Sequence, residues 1–171
     1  KLVWQSLGIP TPGFAVIESE CDLVAAAELG FPLMVKPAHE GSSIGMARAM
    51  NAGELRDAWQ AAAEYDSAVL AEQWVHGTEY TASILGDRAL PLIRLQTASV
   101  FYDYQAKYES NETQYHVPCG LDLDKEIELQ ALALRAYKAL DCKGWGRVDL
   151  FLDDEQRPWL IEANTVPGMT D

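Results

Sequence analysis

Towards the C-terminal end of the sequence, chemistry-bearing residues recur at every second position of two apolar stretches. In the run Gly146 to Leu152, strand alternation puts Arg147, Asp149 and Phe151 on one face and Val148, Leu150 and Leu152 on the other. In the run Pro158 to Ala163 and just beyond it, Glu162 and Asn164 share a face. With a turn at Asp154 to Arg157, antiparallel pairing sets Asp149 opposite Glu162 and Arg147 opposite Asn164. The result is a patch of hard oxygen donors beside one guanidinium. A set of this kind, without His or Cys, suits Mg²⁺, which takes one or two carboxylates and fills its octahedron with water and substrate phosphates. The solvated face of an ordinary hairpin has the same alternation, and spacing alone fits both.

A second group begins where an apolar strand ends: Lys36-Pro37-Ala38-His39-Glu40-Gly41-Ser42-Ser43-Ile44-Gly45. Gly and Ser let backbone N–H groups approach phosphate oxygens, and Lys36 supplies a point charge. Neither G-x-x-x-x-G-K-[ST] nor G-x-G-x-x-G occurs, so a plain turn ending in a surface lysine is the alternative. A third group, Phe101-Tyr102-Asp103-Tyr104-Gln105-Ala106-Lys107-Tyr108, puts aromatic rings and a cation into a long polar stretch from Ser99 to Cys119. At about 20 residues the stretch exceeds ordinary connections, which favours a functional loop that closes over a ligand and excludes water. The alternative is a tyrosine-rich loop packed on the surface. His39, His76 and His116 have no ligand spacing and read as ordinary polar residues.

The elements that must position these groups follow from periodicity. Ser19-x-x-Asp22 opens a short helix through Ala27, with Gly30 as its stop, and an apolar strand covers Pro32 to Val35. Asn51-x-x-Glu54 caps a helix whose Leu55, Ala58, Trp59, Ala62 and Ala63 share one face. Ala68 to Trp74 reads as a strand, and Glu79 to Leu85 and Leu90 to Gln96 as a hairpin around Gly86-Asp87-Arg88. A third helix over Lys125 to Leu140 aligns Leu129, Leu132, Ala133, Ala136, Tyr137 and Leu140. Helices packed on sheets with antiparallel pairs make the fold class α+β.

The chain of 171 residues is 49% hydrophobic and 23% charged, enough to bury a sizeable core. No apolar run reaches the roughly 18–20 residues of a membrane span. A net charge of −13 repels nucleic acid and anionic lipid, so a phosphate ligand must be held by local cations or by metal ions on the surplus carboxylates. Cys21, Cys119 and Cys142 fit no zinc spacing and are odd in number, which points to a reducing, cytoplasmic setting. The sequence opens at Lys1 rather than Met and stops after a Pro-Gly turn, as expected of a fragment of a longer protein.

Taken together the segments resemble the ATP-grasp superfamily and, within it, the D-alanine–D-alanine ligases. Five blocks carry the resemblance in the family's order: Lys36-Pro37 with Glu40 to Gly45; Glu72-Gln73-Trp74 with Glu79-Tyr80-Thr81; Phe101 to Tyr104 with Ala106-Lys107-Tyr108; Gly144 to Asp149; and Glu162 to Thr165 with Pro167 to Thr170. The resemblance implies two α+β lobes, a smaller over 1–72 and a larger, truncated one over 73–171, with ATP between them. By position Lys36 holds the α/β-phosphates, and the Gln73-Trp74-Val75 backbone, Glu72, Phe101 and Phe151 surround adenine. Glu79 takes a ribose hydroxyl. Asp149, Glu162 and Asn164 hold two Mg²⁺ ions, for which Mn²⁺ substitutes, with Glu162 bridging.

The implied reaction phosphorylates the carboxylate of one D-alanine and lets the amine of a second attack the acyl phosphate, giving D-alanyl-D-alanine for peptidoglycan. Arg147 and the Gly168 N–H would stabilise the oxyanion and Lys107 the transferred phosphoryl group. Ser42, Glu79 and Tyr108 would link the glycine-serine loop to the long loop, and Tyr108, where D-lactate-using ligases carry His, favours D-alanine as second substrate. The family has an N-terminal domain that supplies further site residues, so this chain by itself would turn over poorly, and the parent would be a homodimer acting on small molecules, with no nucleic acid or membrane partner. Two other readings are another ATP-grasp carboxylate–amine ligase and a noncatalytic nucleotide-binding module.

Overall fold

The computed structural model describes residues 1–40, 44–96 and 113–165. They form two compact units. One comprises Pro12–Trp74; the other combines Lys1–Thr11, Val75–Gln96 and the described residues from Gln114 onward.

The first unit is a four-stranded antiparallel sheet in the order β1-β4-β2-β3, made of β1 (Phe14–Ile17), β2 (Leu33–Pro37), β3 (Ala47–Ala49) and β4 (Val69–Gln73). Leu33, Val35, Val69, Ala71 and Ile17 point to one side, where Leu23 and Ala26 of α2 (Leu23–Ala27) and Leu55, Ala58 and Ala62 of α3 (Ala52–Ala63) complete the core. The capping residues behave as their spacing predicts. Asn51 accepts from the Glu54 N–H at 3.0 Å, and Glu54 returns a bond to the Met50 N–H at 2.9 Å. Ser19 and Asp22 also form a capping box, but the turn they open, Glu20–Asp22, is 3-10 and leads into α2.

The second unit holds six strands, β10-β9-β5-β7-β8 with β6 beside β5: β5 (Gly77–Leu85), β6 (Arg88–Ala89), β7 (Ile93–Gln96), β8 (Gln114–His116), β9 (Trp145–Asp153) and β10 (Pro158–Asn164). Helix α4 (Leu123–Ala139) lays Leu129, Ala133, Ala136 and Tyr137 against Tyr80, Ala82, Ile84, Val148, Leu150, Leu152 and Leu160. The turn after β5 is tighter than the expected Gly86-Asp87-Arg88, since Arg88 already pairs with Leu85. The predicted strand over Leu90 to Gln96 shortens to β7, because Pro91 has no N–H and the Leu92 N–H goes to Glu126 Oε1 of α4 at 2.9 Å.

A helix not evident from periodicity, α1 (Leu2–Ser6), belongs here rather than with the sheet that follows it. At five residues it shows no repeat, but Trp4 is buried and its indole N–H bonds the Ala136 carbonyl at 2.9 Å. The segment after it borders β10. The Leu160 N–H donates to the Pro10 carbonyl at 2.9 Å, and the Leu160 carbonyl accepts from Thr11 Oγ1 at 2.8 Å. A single break after Glu72 therefore does not describe the two units.

The β9–β10 turn is organised by one carboxylate. Asp153 Oδ1 accepts from the Glu155 and Arg157 N–H groups, and Oδ2 from Arg157 Nε at 2.8 Å and Trp159 Nε1 at 2.9 Å. Burial opposes ionisation of Asp153, but the Trp159 and Arg157 donors outweigh it and hold the carboxyl at about 2. The folded-state pKa lies below the unfolded value of about 3.9, so its stabilisation is complete above that value and is lost as pH falls towards 2. Asp153→Asn is accordingly expected to lower the unfolding midpoint in urea at pH 6 by clearly more than at pH 3. A deficit equal at both pH values would refute this assignment.

Candidate active site

In the six-stranded unit, alternation sends the apolar residues of β5 and β9 to α4 and their polar neighbours to the opposite face. Cross-strand pairing then sorts these neighbours into rows: Ser83, Arg147 and Asn164; Thr81, Asp149 and Glu162; Glu79 and Phe151. Asp149 does lie opposite Glu162 and Arg147 opposite Asn164.

The route to that register differs from a regular hairpin. Near the turn Leu160 pairs with Leu150, and the register shifts between Leu160 and Glu162, leaving Ile161 as the extra residue of a bulge. Leu160 and Glu162 have the same parity. Unbroken alternation would turn both to α4, since Leu160 is fully buried there. The bulge lets Leu160 fill the core while Glu162 joins Asp149 on the other face.

Asp149 is the centre of the cluster. It is buried, and four donors meet it: Thr81 Oγ1 to Oδ1 at 2.6 Å, Arg147 Nε to Oδ1 at 2.8 Å, Arg147 Nη2 to Oδ2 at 2.8 Å and Asn164 Nδ2 to Oδ2 at 3.1 Å. Asn164 Nδ2 also reaches Glu162 Oε1 at 3.3 Å. Burial pushes the Asp149 carboxyl up; the Arg147 charge and the Arg147 and Thr81 hydrogen bonds pull it back, Glu162 adds a further upward push, and the net direction is upward. Two carboxylates held close against their mutual repulsion, with an amide beside them and no His or Cys in the group, fit a hard divalent cation.

The four-stranded unit carries the other candidates. Lys36 and Glu72 come from neighbouring strands, on the face away from α2 and α3, and their side chains pair at 3.0 Å, with the carboxylate 4% exposed. Gln73 is tied into the sheet: Nε2 donates to the Leu29 carbonyl at 2.9 Å, Oε1 accepts from the Gly13 N–H at 3.1 Å, and its own N–H bonds the Gly13 carbonyl. The Trp74 N–H bonds the Pro32 carbonyl at 3.1 Å, and the Arg48 guanidinium lies 5.4 Å from the Trp74 ring centroid. Val75 is half-buried between β4 and β5. His39, to which the sequence assigns no role, anchors the start of the glycine-serine loop, its N–H and Nδ1 both 2.8 Å from Asp66 Oδ2.

Ser42, Phe101, Lys107, Tyr108 and Gly168 lie outside the described residues. Among the described residues, no cluster of three or more His, Cys, Asp or Glu side chains is placed to hold a metal, which leaves the mixed Asp149, Glu162 and Asn164 set. Thr81, which enters the sequence reading only as part of a block and with no role, is the participant that sequence reasoning missed. It stands two residues from Glu79, but only the distant pairing of β5 with β9 brings it to Asp149.

The model of the family described as D-ala D-ala ligase C-terminus matches residues 3–171. The chain belongs to this family. It is 61% identical to the D-alanine–D-alanine ligase of Pseudomonas putida (strain GB-1), with all of this chain and 54% of that protein covered. A crystal structure of the D-alanine–D-alanine ligase from Bacillus anthracis superposes with a TM-score of 0.85 at 34% identity, covering 99% of this chain and 56% of that one. A structure of that enzyme complexed with ATP gives 0.80 at 33% identity, covering 99% and 55%. The fold is thus the α+β architecture of ATP-grasp ligases, and the chain spans about half the length of the relatives it matches.

Proposed function

We propose that the full-length protein is an ATP-dependent D-alanine–D-alanine ligase, a cytoplasmic and homodimeric enzyme of peptidoglycan precursor synthesis. The observation that carries the reading is the face of the six-stranded sheet where Arg147, Asp149, Glu162 and Asn164 meet. A carboxylate is a poor electrophile because its leaving group would be oxide. Phosphorylation by ATP supplies both a leaving group and the driving force, and the second D-alanine's amine then displaces phosphate from the acyl phosphate. The protein's share is positioning and charge stabilisation.

Lys36 takes the α/β-phosphates and Glu72 the adenine amino group; their mutual ion pair holds both side chains on one sheet face beforehand. The Gln73 and Trp74 N–H groups are engaged with carbonyls of their own unit, so of the N–H groups in this stretch the one assigned to adenine is that of Val75. Glu79 accepts from the ribose, and Phe151, its cross-strand neighbour, packs on the base. Asp149, Glu162 and Asn164 would hold two Mg²⁺ ions, which would neutralise charge on the transferring phosphoryl group. Arg147 serves the oxyanion, and Phe101, Lys107, Ser42, Tyr108 and Gly168 keep the roles that the resemblance gives them.

Phosphate release by the full-length protein with ATP and Mg²⁺ should rise on addition of D-alanine, and no stimulation would overturn the proposal. Glu162→Gln should raise the Mg²⁺ concentration needed for half-maximal ATP binding by about tenfold or more, since even outer-shell changes at metal sites cost that much. An unchanged Mg²⁺ titration would remove Glu162 from the ligand set.

A further inference from the structure

The donors around Asp149 differ in what else they have to do. Arg147 and Asn164 sit on the hairpin itself, and in the reading above each has a second partner, the oxyanion for one and the cation for the other. Thr81 comes from β5, directly across from Asp149, and has no such second duty. Its hydroxyl lies 2.6 Å from Asp149 Oδ1, closer than the Arg147 and Asn164 donors, and both residues are buried. Its neighbours Tyr80 and Ala82 are locked into the core under α4, and a β-branched side chain in a central strand has little χ1 freedom. We infer that Thr81 is the positioning residue of the metal site, holding Asp149 Oδ1 so that the carboxylate keeps one orientation whichever partner the hairpin groups engage. This rests on the assignment of Asp149 as a metal ligand. Outer-shell hydrogen bonds of this type orient ligating carboxylates, and their loss weakens metal binding by about 10–100-fold.

The test compares Thr81→Val, which keeps the shape and removes the hydroxyl, with Thr81→Ser, which keeps the hydroxyl, in the full-length protein. Mn²⁺ binding in the presence of ADP is followed by electron paramagnetic resonance, with thermal unfolding as a check on folding. Thr81→Val should bind Mn²⁺ about tenfold or more weakly, and Thr81→Ser within about threefold of the unsubstituted protein. Thr81→Ala removes the donor without setting a methyl group against the carboxylate, and it should match Val, so a poorly folded Val variant does not decide the matter. Normal Mn²⁺ binding in Thr81→Ala or folded Thr81→Val, with weakened binding in Glu162→Gln, overturns this inference alone. Failure of the unsubstituted protein to bind Mn²⁺ overturns the metal assignment and this inference with it.

Discussion

Replacing Arg147 with Ala in the full-length protein is expected to lower kcat by about 10²–10³-fold, about 3–4 kcal/mol, the usual loss when one oxyanion donor is removed. The guanidinium is not a loose surface charge. Nε and Nη2 bind the two oxygens of Asp149 at 2.8 Å each, which fixes the plane of the fork on the proposed reacting face of the sheet. Truncation takes away that fork and also one counter-charge of Asp149, while Thr81 and Asn164 remain to hold the carboxylate. Carboxylates relieved of a competing cation still bind Mg²⁺, so ATP affinity at saturating Mg²⁺ should stay within about threefold. Arg147→Lys should recover only part of the activity, since an ammonium group cannot reproduce a planar two-point contact. A noncatalytic nucleotide-binding module needs no oxyanion donor. If Arg147→Ala turned over within about tenfold of the unsubstituted protein, the ligase mechanism as assigned would fail.

Much of this site could be read before any coordinates because it depends on period-two alternation and on turn position. Arg147, Asp149 and Phe151 alternate without interruption along β9, and their shared face needed no tertiary information. The helix cap at Asn51 is local as well, its side chain bonding an N–H three residues on. What stayed hidden depends on long-range pairing. The bulge at Ile161 has no Gly or Pro to mark it, and it exists because Leu160 and Glu162 must face opposite ways. Thr81 acquires its partner 68 residues away through the β5–β9 ladder, and α1 is recognisable only once Trp4 is seen to bond Ala136. The Lys36–Glu72 pair likewise arises from β2 lying beside β4, which no local pattern encodes.

Gly146, directly before the arginine, shows how the scaffold and the site are joined, and Gly146→Ala is expected to cost about 1–3 kcal/mol of stability. Its backbone has no left-handed torsion to accommodate; what requires glycine here is space. A Cβ at this position would lie 2.5 Å from Tyr137 Cε2, 2.8 Å from Tyr137 Oη and 2.8 Å from the Asn164 carbonyl oxygen. None of these gives way cheaply. Tyr137 is 1% exposed, and its hydroxyl donates to the Trp145 carbonyl at 2.9 Å; the other obstacle is backbone of β10. Relief therefore moves either α4 or the strand that carries Asn164, so the stability loss should come with weaker Mn²⁺ binding. Denaturant unfolding measures the first effect, and a double-mutant cycle assigns it. In a Tyr137→Leu background the added methyl group should cost distinctly less, because the ring it strikes is gone. Gly146→Ala as stable as the unsubstituted chain to within about 0.5 kcal/mol would show that β9 and α4 are less tightly opposed at this point than their contacts indicate.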